Sequence, residues 1–324
     1  MPSATALAHP NIALIKYWGK RDEDDNLPAV GSLSVTLDAL RTRTTVSFEP
    51  GLGRDELTLN GVVAAAEHPR LTRCLDALRA LAQCNDHARV DSENDFPTGA
   101  GLASSASGYA ALTVAGAAAL GIDVRDSRLE AVARIGSGSA PRSLHGGFVL
   151  LENTATGTRC EPLLAPADWP LHVVVAVTSE SGKSTSSRDG MADSRRTSPY
   201  YEPWVASHAA DLAQGRQLVR ARDFAGLAQL AEHNCLKMHA VMLTTRPPLV
   251  YWLPVTLACI EVIGALRRDG VPVFYTIDAG PQVKAVCLPE AADTVAAALR
   301  QVPGVLRLLT GGLGTGARIV DGNG

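Results

Sequence analysis

The chain has 324 residues, of which 46% are hydrophobic and 19% are charged. These values are typical of a folded globular protein and exclude a disordered chain. The formal net charge is −3, so the chain as a whole does not attract nucleic acid or an anionic membrane, and any cationic site must be local. The length suffices for one large domain or for two lobes that share a cleft.

Cysteine usage and hydrophobic runs indicate the compartment. The six cysteines are scattered and form no Cys-x-x-Cys pair, which predicts free thiols in a reducing compartment and a cytoplasmic protein. Residues 1–8 lack the basic start and apolar core of a signal peptide. The most apolar stretch, Val250–Leu266, contains Pro254 and Glu261 and is shorter than the about 20 residues of a membrane span. We therefore predict a buried helix there.

The first hundred residues predict strands followed by one helix. β-Branched and aromatic residues between Gly, Pro and Asp predict strands over Ile12–Trp18, Ser32–Leu37 and Thr42–Phe48. Leucines from Leu71 to Leu81 recur at spacings of three and four, the period of one helix face. A further short strand is predicted over Ala88–Ser92.

A Gly/Ser-rich segment, Asn94–Gly108, runs directly into an Ala-rich helix predicted over Tyr109–Leu120. Small residues let backbone N–H groups approach a phosphate, and a following helix adds unpaired amides and the positive end of its dipole. No Lys-Ser/Thr pair follows the glycines, so this is not a Walker A loop. The alternative is an ordinary helix cap after a tight turn. The second glycine-rich run, Gly311–Gly316, precedes no clear helix, and we predict a turn.

The remaining elements predict an α+β architecture. A helix over Leu129–Ile135 leads into a second small-residue loop, Gly136–Arg142, and a polar loop at 179–199 marks the predicted boundary between an N-terminal lobe, 1–180, and a C-terminal lobe, 181–324. After it the chain is predicted to be mostly helical to Asp269. Apolar strands and one helix complete the prediction: Phe148–Leu151, His172–Val177, Val273–Ile277, Lys284–Leu288 and Val305–Leu309, with a helix at 290–301.

Three ionisable residues stand where they could do chemistry. Asp278 ends a predicted strand before an Ala-Gly-Pro turn, where a carboxylate beside a cleft can orient a hydroxyl and accept its proton. Arg142 follows the second small-residue loop, and its planar fork suits a carboxylate or phosphate. Lys16 lies in the run Asn11–Lys20, where alternation on a strand would put it on one face with Trp18. The alternatives are a turn aspartate and solvated strand lysines.

Several blocks together resemble a known family. The order Pro-x-x-x-Gly-Leu-Ala-Ser-Ser-Ala resembles the phosphate loop of the GHMP kinase superfamily, and Asn-Ile-Ala-Leu-Ile-Lys-Tyr-Trp-Gly-Lys resembles the N-terminal signature of its diphosphomevalonate decarboxylases. Further matching blocks occur in the family's order: Asn94–Gly108, Gly136–Gly147, Ser186–Met191 with Thr197-Ser198-Pro199, and Asp278-Ala279-Gly280-Pro281. The resemblance implies a GHMP-kinase-like two-lobed α+β fold, with a ribosomal-protein-S5-like, ATP-binding N-terminal lobe, an α/β C-terminal lobe and the active site between them.

The resemblance also implies ATP and Mg²⁺ as cofactors, mevalonate diphosphate as substrate and a homodimer. Asp278 would orient or deprotonate the substrate's 3-hydroxyl, Lys16 would offset charge near the transferring phosphoryl, and Arg142 would hold the carboxylate. Substrate-binding residues on the family pattern are Asn11, Tyr17, Lys20, Gly138, Ser139, Ser187, Arg188 and Met191. Residues for the ATP phosphates are Gly99, Ala100, Gly101, Leu102, Ala103, Ser104, Ser105 and Ser107, and Ser105 is also the candidate Mg²⁺ ligand.

The sequence departs from the family pattern in places. Pro141 precedes the predicted catalytic arginine, Gly99 stands where alanine is frequent, and Ser179–Lys183 is not the expected lysine-rich version. Because proline fixes φ and removes an N–H, the donors of its loop differ. Alternatives are a phosphomevalonate or mevalonate decarboxylase, a mevalonate 3-kinase, another GHMP small-molecule kinase and a non-catalytic binding protein. Lys20 and Arg188 favour a diphosphate substrate.

Overall fold

The computed structural model describes residues 2–64, 68–96, 103–181 and 185–321. The strands are β1 (Ser3–Ala8), β2 (Asn11–Ile15), β3 (Lys20–Asp22), β4 (Leu27–Pro28), β5 (Ser32–Thr36), β6 (Thr42–Glu49), β7 (Glu56–Leu59), β8 (Val62–Val63), β9 (His87–Asn94), β10 (Phe148–Asn153), β11 (Thr158–Leu164), β12 (His172–Val177), β13 (Val273–Thr276), β14 (Val283–Cys287), β15 (Arg307–Gly311) and β16 (Arg318–Val320). The helices are α1 (His68–Ala82), α2 (Ser104–Ala119), α3 (Leu129–Gly136), α4 (Ala140–Ser143), α5 (Ser187–Thr197), α6 (Tyr201–Ala221), α7 (Phe224–Leu243), α8 (Pro254–Arg268) and α9 (Ala292–Arg300).

A sheet in the order β16-β1-β6-β9-β7-β8 forms the outer part of the N-terminal lobe. Buried and half-buried residues alternate along β6, as expected for a strand with one covered face. The buried face carries Val46 and Phe48, which pack in one core with Leu75 of α1 and Val114 of α2. Because α2 is rich in alanine and buried on nearly every side, its backbone can lie close to this sheet.

Two further sheets sandwich the central core. The order β11-β10-β5-β2 places β2 at one edge, and β13-β14-β12-β15 forms the sheet of the C-terminal lobe. Ile12 of β2, Leu227 of α7 and Phe274 of β13 belong to one hydrophobic cluster. Helices α8 and α9 cover the other side of the C-terminal sheet, through Ile263 and Val295. The ends of β2 and β13 therefore meet at the border between the lobes.

The sheets divide the chain differently from a boundary at residue 180. Strand β12 precedes that position but pairs with β14 and β15, whereas β16 follows it and pairs with β1. The division into lobes 1–180 and 181–324 stays a prediction. The strand pairing indicates that the chain first passes from the N-terminal sheets to the C-terminal sheet between β11 and β12.

Most predicted helices and strands are present, and four expectations need correction. The strand predicted over Ile12–Trp18 ends at Ile15, where its pairing with β5 becomes irregular. The region 179–199, predicted as a loop, contains α5, whose start is capped when the Ser186 hydroxyl accepts the N–H of Asp189. The loop before Arg142 ends in the short helix α4. The stretch predicted as a buried helix forms α8 with only one buried face, since Leu257 is 50% exposed.

The glycine-rich run near the C-terminus is a close-packed connection between β15 and β16. A Cβ atom on Gly314 would lie 2.9 Å from the Leu37 backbone, and one on Gly316 would lie 2.5 Å from the Leu144 carbonyl oxygen. The N–H of Gly314 also donates to the Thr36 carbonyl at 2.8 Å. These glycines let the chain pass against its neighbours, and the segment predicted as a turn begins within β15, which ends at Gly311.

Two further observations concern the cysteines and the length of the helices. The six cysteines are free thiols. Among the helices of the described ranges, none has both the length and the apolar character required to cross a bilayer.

Candidate active site

A buried ionic cluster lies where β2 and β13 end. The Lys16 ammonium is 2.6 Å from Oδ1 of Asp278, and the Lys284 ammonium is 3.2 Å from Oδ2 of the same carboxylate. Both lysine side chains are 1% exposed, whereas Asp278 is 26% exposed. Burial alone raises the pKa of Asp278, but Lys16 and Lys284 outweigh it and hold the pKa well below its usual value. Asp278 is therefore an ionised carboxylate that remains partly exposed.

The end of β2 is anchored to the C-terminal lobe. The N–H of Lys16 donates to the Asn234 side chain at 2.7 Å, and Asn234 in turn donates to Asp211 at 2.7 Å. Asp211 also binds Lys237 of α7 at 2.7 Å. The Thr276 hydroxyl donates to the Ala13 carbonyl at 3.2 Å, which ties β13 to β2. This scaffold explains why Lys16 points into the protein although the strand has ended.

Arg142 is a buried cation available for an anion. Its side chain is 3% exposed, and its Nε and Nη1 atoms find no hydrogen-bond partner among the described residues. Burial lowers the pKa of Arg142, and the charge of Asp278 and the Tyr17 phenol partly oppose that effect. The Tyr17 hydroxyl also lacks a partner within the same ranges. Buried polar groups are normally hydrogen-bonded, so these atoms mark a site for a ligand's carboxylate or phosphate.

The Arg142 helix is positioned by Asn11 and by the small-residue loop before it. Asn11 donates to the Ser139 carbonyl at 3.1 Å and to the Ser143 hydroxyl at 2.7 Å. A Cβ atom on Gly138 would come within 2.7 Å of the Tyr17 hydroxyl, so glycine is required for that approach. Asn11 and Gly138, both predicted as substrate-binding residues, thus also shape the pocket.

A second cationic region continues from the first through Tyr17. Lys20 is 6% exposed, and burial, with repulsion from Arg188, lowers its pKa to about 8. Arg70 at the start of α1 is a further electrostatic neighbour of Lys20, and the sequence had given it no role. Burial raises the pKa of Tyr17, with Arg142 and Arg188 opposing. Lys20 and Arg188, the cations predicted to bind a diphosphate, therefore lie close enough to interact electrostatically.

The other residues predicted to bind the substrate lie on α5. Arg188 is exposed, Ser187 is half-buried and Met191 is buried. Met191 packs in a cluster with Trp18 and Trp204, while Ser187 takes part in a polar interaction. The structure thus brings the family segment at the start of α5 beside the N-terminal signature.

The described part of the phosphate loop begins at Ala103. Gly99, Ala100, Gly101 and Leu102 lie outside the described residues. Ala103 has a left-handed backbone with φ 58°, and helix α2 starts without a side-chain cap. Its first amides and the exposed Ser105 hydroxyl fit phosphate oxygens and a Mg²⁺ ion.

Ser105 links the phosphate loop to the Arg142 region. Its hydroxyl contacts the Ser137 hydroxyl at 3.2 Å, which contacts the Ser139 hydroxyl at 3.1 Å. Ser107 needs correction as a phosphate ligand, because it is fully buried and its hydroxyl bonds Thr42 at 2.6 Å. That side chain fixes α2 to β6.

The fold and the site define an ATP-dependent enzyme of the GHMP kinase type that acts on a small anionic molecule. The chain belongs to the diphosphomevalonate decarboxylase family. Residues 8–161 match the family description "Diphosphomevalonate decarboxylase-like N-terminal domain", and residues 173–306 match "Mevalonate 5-diphosphate decarboxylase C-terminal domain".

Curated relatives and solved structures agree with this membership. The human diphosphomevalonate decarboxylase is 39% identical over 323 residues, which cover 91% of this chain and 78% of the relative. The mevalonate diphosphate decarboxylase of Staphylococcus aureus is 35% identical with a TM-score of 0.92 and covers 99% of this chain and 98% of its own. A structure described as MDDEF in complex with MVAPP, AMPPCP and magnesium is 36% identical with a TM-score of 0.90. The match covers 98% of this chain and 99% of that one.

Proposed function

We propose that this protein catalyses the ATP-dependent decarboxylation of mevalonate 5-diphosphate to isopentenyl diphosphate, a step of isoprenoid biosynthesis in the mevalonate pathway. The observation that carries the proposal is the carboxylate of Asp278 between two buried lysines, with Arg142 as a buried neighbour whose Nε and Nη1 have no partner among the described residues. The family membership of the chain and the structure of a related enzyme in complex with MVAPP, AMPPCP and magnesium also support the proposal.

The carboxylate of Asp278 orients the tertiary 3-hydroxyl of the substrate by accepting its hydrogen bond. Lys16 lies 2.6 Å from that carboxylate and offsets negative charge where the hydroxyl meets the phosphoryl group. Bound MgATP supplies the γ-phosphoryl group and part of the charge neutralisation. The hydroxyl oxygen bonds the γ-phosphorus as the bond from that phosphorus to ADP breaks, so that ADP leaves and the alcohol becomes the 3-phosphate ester. The hydroxyl proton passes to an oxygen of the transferred phosphoryl group. Phosphoryl transfer depends chiefly on position and electrostatics, which a rigid ionic cluster provides.

Arg142 holds the substrate carboxylate until it leaves as CO₂. Departure of the 3-phosphate creates positive character at C3, and the electrons of the C–CO₂ bond form the double bond. The guanidinium binds the carboxylate through Nε and Nη1, which have no partner among the described residues, and this contact ends when the carboxylate leaves as CO₂. Tyr17, Lys20, Ser187, Arg188 and Met191 bind the diphosphate and the substrate chain, together with Asn11, Gly138 and Ser139.

The nucleotide phosphates bind along the loop that leads into α2. Ala103, Ser104 and Ser105 supply backbone amides and hydroxyls, and Ser105 would hold Mg²⁺. Residues 99–102, which lie outside the described ranges, belong to the same proposal. The dipole of a helix that begins without a side-chain cap favours the anion.

The proposal extends to a cytoplasmic homodimer. Six free thiols fit a reducing compartment. Exposed apolar side chains on α7, α8 and the segment between them offer a candidate interface: Leu236, Leu243, Val250, Leu253 and Leu257. Light scattering of the purified protein tests the dimer, and a monomer at micromolar concentration would contradict it.

One assay tests the function. Purified protein is given MgATP with mevalonate, its 5-phosphate or its 5-diphosphate, and release of ADP and CO₂ is measured together. We expect equal amounts of both products with the diphosphate. ADP without CO₂ would make the protein a kinase, and turnover only with the monophosphate or with mevalonate would change the substrate.

Replacement of Asp278 by asparagine tests the assigned role. We expect Asp278→Asn to lower kcat by roughly 10³-fold, as for the loss of one preorganised hydrogen-bonding group in an active site, while the protein melts as cooperatively as the wild type. Asp126→Asn, which changes a carboxylate paired with Arg128 outside the cleft, is the matched control. Near-normal turnover by a folded Asp278→Asn variant would refute the role.

A further inference from the structure

Lys284 is a buried lysine in the middle of a β-sheet. It lies on β14, between β13 and β12, where its register partners are Thr276 and Val175. All five residues of this strand are buried. A lysine is almost never found at such a position unless it is paired, and here its ammonium lies 3.2 Å from Oδ2 of Asp278.

Lys16 alone could balance the charge of Asp278, without Lys284. Lys16 already binds the other carboxylate oxygen at 2.6 Å. With both ammonium groups protonated, two positive charges face one negative charge, which leaves one excess positive charge in a buried site. Burial lowers the pKa of Lys284, and the charge of Asp278 opposes this. An arrangement of this kind stabilises a fold less than an apolar side chain of similar volume.

The geometry suggests what the second cation does. Lys284 and Lys16 hold one oxygen each, so rotation of the carboxylate is restricted, while 26% of the Asp278 side chain remains exposed. Two neighbouring cations also oppose protonation of the carboxylate. A carboxylate held in this state accepts a hydrogen bond well but is a weak proton acceptor.

We propose that Lys284 is a positioning residue that fixes the Asp278 carboxylate and keeps it ionised, so that Asp278 orients the substrate hydroxyl and does not act as a general base. This inference rests on the proposed function and assigns a role to a residue outside the family signature blocks. The competing explanation is a structural link between β13 and β14.

The two explanations differ in what Lys284→Met changes. If Lys284 positions Asp278, this variant keeps or gains thermal stability, since an apolar side chain replaces a buried ion. Its kcat falls roughly 10–100-fold, as for the loss of an outer partner of a catalytic group, with KM for mevalonate diphosphate nearly unchanged. The acid limb of its kcat–pH profile moves to higher pH, because Asp278 has lost one cation. A structural link predicts a lower Tm with an unchanged pH profile.

Matched variants separate these outcomes. Arg267→Met removes a cation from Glu232, a carboxylate that also accepts the Tyr275 N–H on β13, and it should leave the acid limb in place. Lys284→Gln, which keeps a polar side chain, covers the case in which the methionine variant fails to fold. In an Asp278→Asn background, Lys284→Met should no longer change residual turnover.

Two results would overturn the inference: a folded Lys284→Met variant with wild-type kcat and acid limb, or full additivity with Asp278→Asn. Failure of the proposed function is a separate outcome. It would appear as the absence of CO₂ from the wild type, and ADP release would then still report on the coupling between Lys284 and Asp278.

Discussion

Two buried aspartates illustrate the difference between an ion pair that holds the fold and one that serves the cleft. Asp55 in the N-terminal lobe receives Arg79 through two hydrogen bonds of 2.8 and 3.1 Å and the Ala88 N–H at 2.9 Å. Asp278 is more exposed, faces two lysines and is an electrostatic neighbour of Arg142, whose Nε and Nη1 have no partner among the described residues. The first site is complete in the protein alone, whereas the second has capacity for a ligand.

Of the substitutions that test this difference between the two sites, we expect the largest effect from a change of Arg142. We expect Arg142→Met to lower kcat/KM for mevalonate diphosphate at least 100-fold, within the 2–5 kcal/mol typical of removing a buried partner of a charged group. Tm should stay the same or rise, since Nε and Nη1 have no partner in the described part of the chain. Steady-state kinetics and thermal melts measure both quantities.

Arg134→Met is the control, because Arg134 is also buried with unpartnered nitrogens but has Asp25, Arg21 and Asp22 as electrostatic neighbours. Equal kinetic losses in both variants would show that burial of a cation, and not its place beside Asp278, matters.

Arg79 should behave in the opposite way. Arg79→Met leaves Asp55 buried without its cation, which costs about 3–5 kcal/mol of the free energy of unfolding. Chemical denaturation should show this loss, while KM and kcat of the remaining folded enzyme stay at wild-type values. Arg128→Met, at a pair on the surface, should cause no measurable change. A kinetic defect in the folded Arg79→Met variant would contradict the conclusion that Asp55 serves the fold alone and Asp278 the active site.

A pH effect is expected at Lys20. Its pKa of about 8 in the free protein means that the ammonium is charged below this pH and largely neutral above it. Because a diphosphate binds the charged form, KM for mevalonate diphosphate should be constant below about pH 8 and rise up to tenfold per pH unit above it. Lys20→Met should raise KM and remove this dependence. The same rise in that variant would assign the titration to another group.

The smallest effect concerns the serines at the start of α2. Ser105→Ala should raise KM for ATP roughly tenfold, as for one hydrogen bond to a charged group. Ser107→Ala should leave KM for ATP unchanged and lower Tm slightly, because its hydroxyl bonds Thr42. A reversed order of the two KM values would overturn the correction made for Ser107.

Local sequence patterns predicted elements well where one periodicity was strong. The spaced leucines of α1 and the Ala-rich run of α2 became helices. The strand at Ile12–Trp18 was predicted too long, because the aromatic residues Tyr17 and Trp18 follow the point where the pairing with β5 stops. Helix α5 was missed because its serines and charges resemble a loop, and tertiary contacts of Met191 stabilise it.

The site was only partly predictable. The contact between Lys16 and Asp278 joins residues 262 positions apart, so no local pattern reveals it, and the family resemblance supplied the pairing. Lys284 was missed because a single lysine in an apolar strand is usually taken for an exposed position. The lowered pKa of Lys20 depends on burial and on Arg188, which a sequence does not show.

The return of β16 to the edge of β1 has a mechanical consequence. The chain passes from the N-terminal sheets to the C-terminal sheet after β11 and back again after β15, so two covalent connections join them. Such a double tether resists twisting and wide separation, and it permits chiefly a small hinge motion about the two crossings. Substrate entry and product exit would then depend on side chains and loops at the rim more than on large movements of whole lobes.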